Sequence, residues 1–162
     1  MRTMLLSFKP DVFEKILSGE KIYEHRSVFP DEPIKAYIYI SRPVQALAGI
    51  IYLGNKTCLS TWKDKYSYDS AAVSRIDEYM KRYKVVMEIQ RFQNTNQISL
   101  SKVRETFPEF LIPQMYYYLD GTELLDYFET NLQPKGEIIV HEFKNISSDL
   151  ICRHWYMEDL NS

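Results

Sequence analysis

Lys21, Glu24 and Arg26 place an ammonium, a carboxylate and a guanidinium within six residues, in the stretch Gly-Glu-Lys-Ile-Tyr-Glu-His-Arg from Gly19 to Arg26. A lysine becomes a base or nucleophile when burial or a neighbouring cation lowers its pKa, and a carboxylate beside it does the reverse. The trio is therefore better suited to binding. The cations suit a phosphate or a base carbonyl, and the carboxylate can accept from a base amino group. Hydrolysis by Glu24 acting on water is the catalytic alternative. A Glu24–Arg26 ion pair that braces a strand, with Lys21 at its rim, is the purely structural one.

The elements that must position these residues are legible in the flanking pattern. Met4 to Phe8 is a short apolar run with the length of one buried strand. Pro10 suits the first position of a helix, and Asp11 its positive end. Val12, Phe13, Ile16 and Leu17 form one apolar stripe, and Gly19 stands where a left-handed cap ends the helix. Lys21 to Phe29 is expected as a strand with Ile22, Glu24, Arg26 and Val28 on one face. Lys21 then has the opposite parity and converges with the other two only if the chain bends near Gly19 or its side chain reaches over an edge.

After a turn over Pro30 to Pro33, Ile34 to Ser41 alternates as a strand, with Ala36, Ile38 and Ile40 inward and Tyr37, Tyr39 and Ser41 outward. Tyr39 and Ser41 thereby join the candidate binding residues. Ala46 to Leu53 is a near-continuous apolar run whose Gly49 suggests a bulge or a close backbone approach. Trp62 to Tyr68 fits a short helix or a loop. Asp69 or Ser70 caps a helix whose stripe is Val73, Ile76, Met80 and Tyr83, with a solvated basic face at Arg75, Lys81, Arg82 and Lys84. Val85 to Phe92 is a further strand, Ser101 caps a brief helix, and Phe110 to Leu119 is a strand at an edge because of Pro113. Asp120 opens a helix to about Leu132, and strands are expected at Ile138 to Phe143 and Leu150 to Met157. The sum is an α+β protein around a curved mixed sheet or small β-barrel with flanking helices.

Composition sets outer limits. A chain of 162 residues with 45% hydrophobic and 26% charged residues fits one folded domain spanning 1–162. No apolar run reaches the ~18 residues of a membrane span and no signal-peptide pattern is present, so a cytoplasmic protein is expected. Cys58 and Cys152 lack metal-ligand spacing, and no metal or cofactor is expected. The net charge of −2 argues against wholesale coating of nucleic acid. Residues 1–100 nevertheless hold 15 Lys and Arg against 11 Asp and Glu, and 101–162 hold 5 against 11, so the halves carry +4 and −6. A polyanion would meet the first half, and the acidic C-terminal part could dock a protein partner. Tyrosine is abundant at 13 residues. Tyr37, Tyr39 and Tyr116 to Tyr118 could stack on unpaired bases, although core packing accounts for most tyrosines equally well.

The run from Leu5 to Arg26 resembles the opening of the ASCH domain family, of the PUA-like superfamily, whose signature GxKxxExR matches at Gly19, Lys21, Glu24 and Arg26. The resemblance continues through Ile38 to Ser41, Pro43-Val44 and Ala48-Gly49, and returns at Ser99 to Arg104 and Pro113 to Leu119. It is weak over a helical insertion near 56–84 and over 121–162. It implies a PUA-like fold and a cleft near the motif that receives RNA, a nucleotide or a nucleoside. Some members resemble amidohydrolases that deacetylate N4-acetylcytidine with a Lys, a Thr and a Glu. Lys21 matches that Lys, but Glu24 stands where the Thr hydroxyl would be. The leading expectation is an RNA- or nucleotide-binding domain reading a single-stranded or modified base through Lys21, Glu24, Arg26, Tyr39 and Ser41. A nucleoside amidohydrolase or ribonuclease using Lys21 and Glu24, and a protein-interaction module, are the alternatives.

Overall fold

The computed structural model describes residues 1–153. Its elements are β1 (Arg2–Phe8), α1 (Pro10–Leu17), β2 (Tyr23–Arg26), β3 (Ile34–Ile40), β4 (Ala46–Cys58), α2 (Leu59–Lys65) and α3 (Ser70–Met80). Then come β5 (Val85–Gln93), β6 (Ile98–Ser99), α4 (Leu100–Thr106), β7 (Tyr116–Tyr118), α5 (Glu123–Asn131), β8 (Ile139–Val140) and a single 3₁₀ turn at Ser148–Leu150. The strands form a mixed sheet in the order β2-β5-β4-β3-β1-β7, with β6 on β4 and β8 on β5. This is the α+β class expected from the sequence. Among the described residues, no helix is long and apolar enough to cross a membrane. The chain divides into two compact units, and the strands β4 and β5 each contribute to both.

The first unit comprises Met1–Ile22, Glu32–Gly54 and Ile89–His141. β1 and β3 pair in parallel, Met4 opposite Ala36 and Leu6 opposite Ile38, and β7 adds antiparallel to the other side of β1. β3 lies between two neighbours and is buried on both faces, so Tyr37 and Tyr39 do not point outward as the alternation implied. They join a core with Leu5, Leu47, Val103 and Phe128, because residues from α4 and α5 cover the face that a one-sided sheet would give to water. The β3–β4 register slips between Tyr37, opposite Ile50, and Tyr39, opposite Leu47. That is a bulge at Ala48 and Gly49. Gly49 has φ +88°, and a Cβ there would lie 2.9 Å from the Phe92 ring and 3.2 Å from that of Phe13. Its N–H donates to Thr95 Oγ1 at 2.8 Å.

Two caps fall two residues from the expected position. Ser99, not Ser101, accepts from the Lys102 N–H at the start of α4. Thr122, not Asp120, accepts from the Leu125 N–H at the start of α5. Asp120 is committed elsewhere, accepting from the Thr3 N–H and hydroxyl, each at 3.1 Å, and from Arg2 Nε at 3.4 Å. The strand expected over Phe110 to Leu119 contracts to three residues. The Phe110 carbonyl accepts from Arg104 and the Leu111 carbonyl from the Tyr117 hydroxyl, so these groups are satisfied without a ladder. The strand expected at Ile138 to Phe143 is likewise only Ile139–Val140.

The second unit comprises Tyr23–Asp31, Asn55–Glu88 and, among the described residues, 142–153. Here β2 pairs antiparallel with the start of β5, and β4 runs past Gly54 to Cys58. Asp69 caps α3, accepting from the Ala71 and Ala72 N–H groups at 3.1 and 3.2 Å. The buried stripe of α3 is Ala72, Ile76 and Tyr79, so Met80, expected inside, is exposed. Arg75, expected on a solvated face, instead donates to the Ser148 carbonyl at 2.6 Å and the Ile151 carbonyl at 3.4 Å, and the Tyr79 hydroxyl donates to the Arg153 carbonyl. These bonds fix residues 148–153 onto α3. Of the strand expected over Leu150 to Met157, Leu150–Arg153 is not a strand, and His154 to Met157 lie outside the described residues.

Candidate functional site

Gly19 ends α1 with φ +82°, and the chain turns back so that the Lys21 N–H donates to the Lys15 carbonyl at 2.9 Å. The chain therefore bends at Gly19. β2 begins at Tyr23, so the strand parity that set Lys21 against Glu24 does not govern it. Lys21 is 7% exposed, and an ammonium buried to that degree requires compensation.

On β2, Glu24 faces the Met87 position of β5 and Arg26 the Val85 position, so the two share one side of the strand. Arg26 Nη2 donates to Glu24 Oε2 at 3.1 Å, and the His25 N–H donates to Glu24 Oε1 at 3.0 Å. The Glu24 side chain retains 8% of its exposure and that of Arg26 20%. The pair is one of an engaged carboxylate and a guanidinium that keeps a surface to water. A guanidinium is planar, and this contact orients its plane.

The other two expected residues lie in the first unit. Tyr39 is 1% exposed, its ring 6.4 Å from that of Phe110, and its buried hydroxyl has no hydrogen-bond partner among the described residues. Burial raises its pKa, so it is a neutral phenol. Ser41 follows β3 in a half-buried turn; its N–H donates to the Phe8 carbonyl and its own carbonyl accepts from Val44 and Gln45. The structure thus brings Glu24 and Arg26 together as a hydrogen-bonded pair and puts Tyr39 in the core.

The opposite side of β2 carries a feature that the sequence did not announce. Tyr23 and His25 project there, with Glu88 and Val86 beside them on β5. The Tyr23 ring lies 4.8 Å from Trp62 and 5.4 Å from Phe143, and Trp62 lies 6.3 Å from Tyr66. These rings wall a cleft of about 400 Å³ that also takes in Asn55, Glu88, Lys65 and Lys144. Asn55 Nδ2 donates to Glu88 Oε1 at 2.9 Å. Burial, then the neighbouring Tyr66 and Glu88, push the Tyr23 phenol far above its ordinary pKa. Its residues come from β2, β4, α2, β5 and residues 143–146, and no spacing in the chain joins those segments.

No protein-family model matches the chain, and no curated protein matches it in sequence. Solved structures do. The crystal structure of ASCH from Zymomonas mobilis matches with a TM-score of 0.60 and 22% identity, covering 82% of this chain and 96% of that one. Crystal structures of a Tyr-to-Phe and a Ser-to-Ala variant from the same organism match with TM-scores of 0.60 and 0.58, at 21% and 22% identity, again over 82% of this chain. The chain therefore has the fold of an ASCH domain.

Proposed function

We propose that the protein binds single-stranded RNA or a nucleotide through Lys21, Glu24 and Arg26. The observation that carries this reading is the Glu24–Arg26 pair on β2. A carboxylate that is 6% exposed holds a guanidinium whose side chain keeps 20% of its exposure. Placing a charge in the interior costs stability even when it is paired, and a pre-oriented Arg fork suits a phosphate or the edge of a base. The ASCH fold and the basic balance of residues 1–100 point the same way.

Hydrolysis through Glu24 is the weaker reading. Oε1 accepts from the His25 N–H and Oε2 from Arg26, so both oxygens are engaged and poorly placed to take a proton from water.

Fluorescence anisotropy with labelled single-stranded RNA tests the proposal. Wild type should bind with an affinity that falls as salt rises, and Arg26→Ala should weaken binding by about tenfold, as loss of one charge-assisted contact does. Arg26→Lys should recover little of it, because an ammonium cannot reproduce the fork. Equal affinities for wild type, Lys21→Ala and Arg26→Ala, all folded by circular dichroism, would remove this assignment.

A further inference from the structure

We propose that the aromatic-walled cleft on the side of β2 opposite Glu24 and Arg26 is a second binding site, and that it takes a nucleoside 5′-monophosphate, free or as the 5′ end of an RNA strand. The inference does not rest on the motif, since Tyr23 and Glu88 face away from Glu24 by strand alternation.

Three properties specify the ligand. At about 400 Å³ the cleft lies within the range of small-molecule sites and suits one nucleotide. Its wall is made of rings set edge to face, Tyr23 against Trp62 at 79° and Trp62 against Tyr66 at 87°. Such a wall suits a flat apolar body. Its polar groups are unequal in kind. Glu88 is half-buried and steadied by Asn55 through one oxygen, so it presents an acceptor of fixed direction for a ligand N–H or hydroxyl. Lys65 and Lys144 are exposed on the same cleft and outnumber that carboxylate, with Lys65 Nζ 5.3 Å from the centre of the Tyr66 ring. A molecule that fits must donate a hydrogen bond to Glu88, lay a planar body on the rings and end in an anion reaching the lysines. A nucleoside monophosphate has all three parts. A purely cationic ligand would meet two ammonium groups, and a plain anion would meet Glu88.

The aromatic lining supplies the probe. Trp62 is one of two tryptophans, so the Trp155→Phe chain reports the cleft by fluorescence alone. In that background, adenosine, guanosine, cytidine and uridine 5′-monophosphates are titrated beside the four nucleosides, and beside a short RNA with and without a 5′-phosphate. The expected result is saturable change in Trp62 emission, with at least one monophosphate binding about tenfold more tightly than its nucleoside. Lys65→Ala with Lys144→Ala should remove that increment, and both positions are exposed, so folding should be unaffected. Glu88→Gln should weaken nucleoside and nucleotide alike. Tighter binding of phosphorylated RNA than of free monophosphate identifies the strand end as the ligand; the reverse identifies the free nucleotide. The proposal is overturned if no monophosphate binds at millimolar concentration, if the phosphate adds nothing, or if the double lysine variant binds as wild type. Arg26→Ala should leave the Trp62 response to the free monophosphates unchanged. Loss of binding there would instead assign the nucleotide to the motif face and sink the second site.

Discussion

Arg26 and His141 are the two side chains whose surroundings make the sharpest demands on experiment. Glu24→Gln removes the charge that holds Arg26 and leaves a part-buried guanidinium with a weaker partner. Chemical denaturation should show a loss of about 2 kcal/mol, the cost of weakening a buried charged hydrogen bond. His141 donates its backbone N–H to the Gln90 carbonyl, while its buried Nε2 has no partner among the described residues, and burial lowers its pKa below the ordinary 6.5. A histidine held neutral in the folded state supports stability above its unfolded pKa. That support is lost as pH falls through the lower, folded value. The melting temperature should therefore decline as pH drops below about 6.5, and His141→Phe should flatten that slope. Identical slopes for the two proteins would show that another group governs the decline. At this scale the sequence was informative about identity and poor about environment. It singled out Glu24 and Arg26 as neighbours on one face, but the burial of Tyr39 depends on residues from α4 and α5, more than fifty positions away.

Elements were legible wherever the signal was local. Pro10, Asp11 and Gly19 bound α1, Asp69 opens α3, and the glycine in β4 sits at a bulge, all from chemistry contained within a few residues. Elements defined by competition were not. Asp120 and Thr122 are both good caps, and the choice was made by Thr3, which engages Asp120 from the far end of the sequence. Thr122→Ala should cost about 1 kcal/mol in urea denaturation, as loss of an N-cap does. The tyrosine run likewise reads as a long strand, yet side-chain donors from Arg104 and Tyr117 satisfy the carbonyls upstream of β7 and end the ladder. Gly49→Ala should be the most damaging single methyl in the protein, at about 2 kcal/mol or more, because positive φ and ring contacts at 2.9 and 3.2 Å oppose it together. A stability change within 0.5 kcal/mol would mean that the Phe92 ring yields.

The whole molecule combines a weak net charge with a strong internal imbalance, and the binding proposal depends on the imbalance. Log affinity for single-stranded RNA should fall linearly with log salt, with a slope near −0.7 for each phosphate contacted. Arg26→Ala should reduce that slope by about that amount if Arg26 touches phosphate, and leave it unchanged if it reads a base. The sequence led to one domain over 1–162, and we propose that the chain unfolds in a single step although its contacts cluster into two units. Circular dichroism and Trp62 fluorescence should give coincident urea transitions; separated midpoints would show two folding units.

The way those two units share the chain carries a practical consequence. Each is assembled from three separated stretches, with changeovers after Ile22, Asp31, Gly54, Glu88 and His141. Two of the changeovers fall inside β4 and β5 rather than in loops. Neither unit can be excised by choosing a start and a stop in the gene. A truncation series, the usual route to a minimal binding fragment, would cut through a strand before it freed a module, so the smallest functional piece of this protein has to be sought by substitution rather than by deletion.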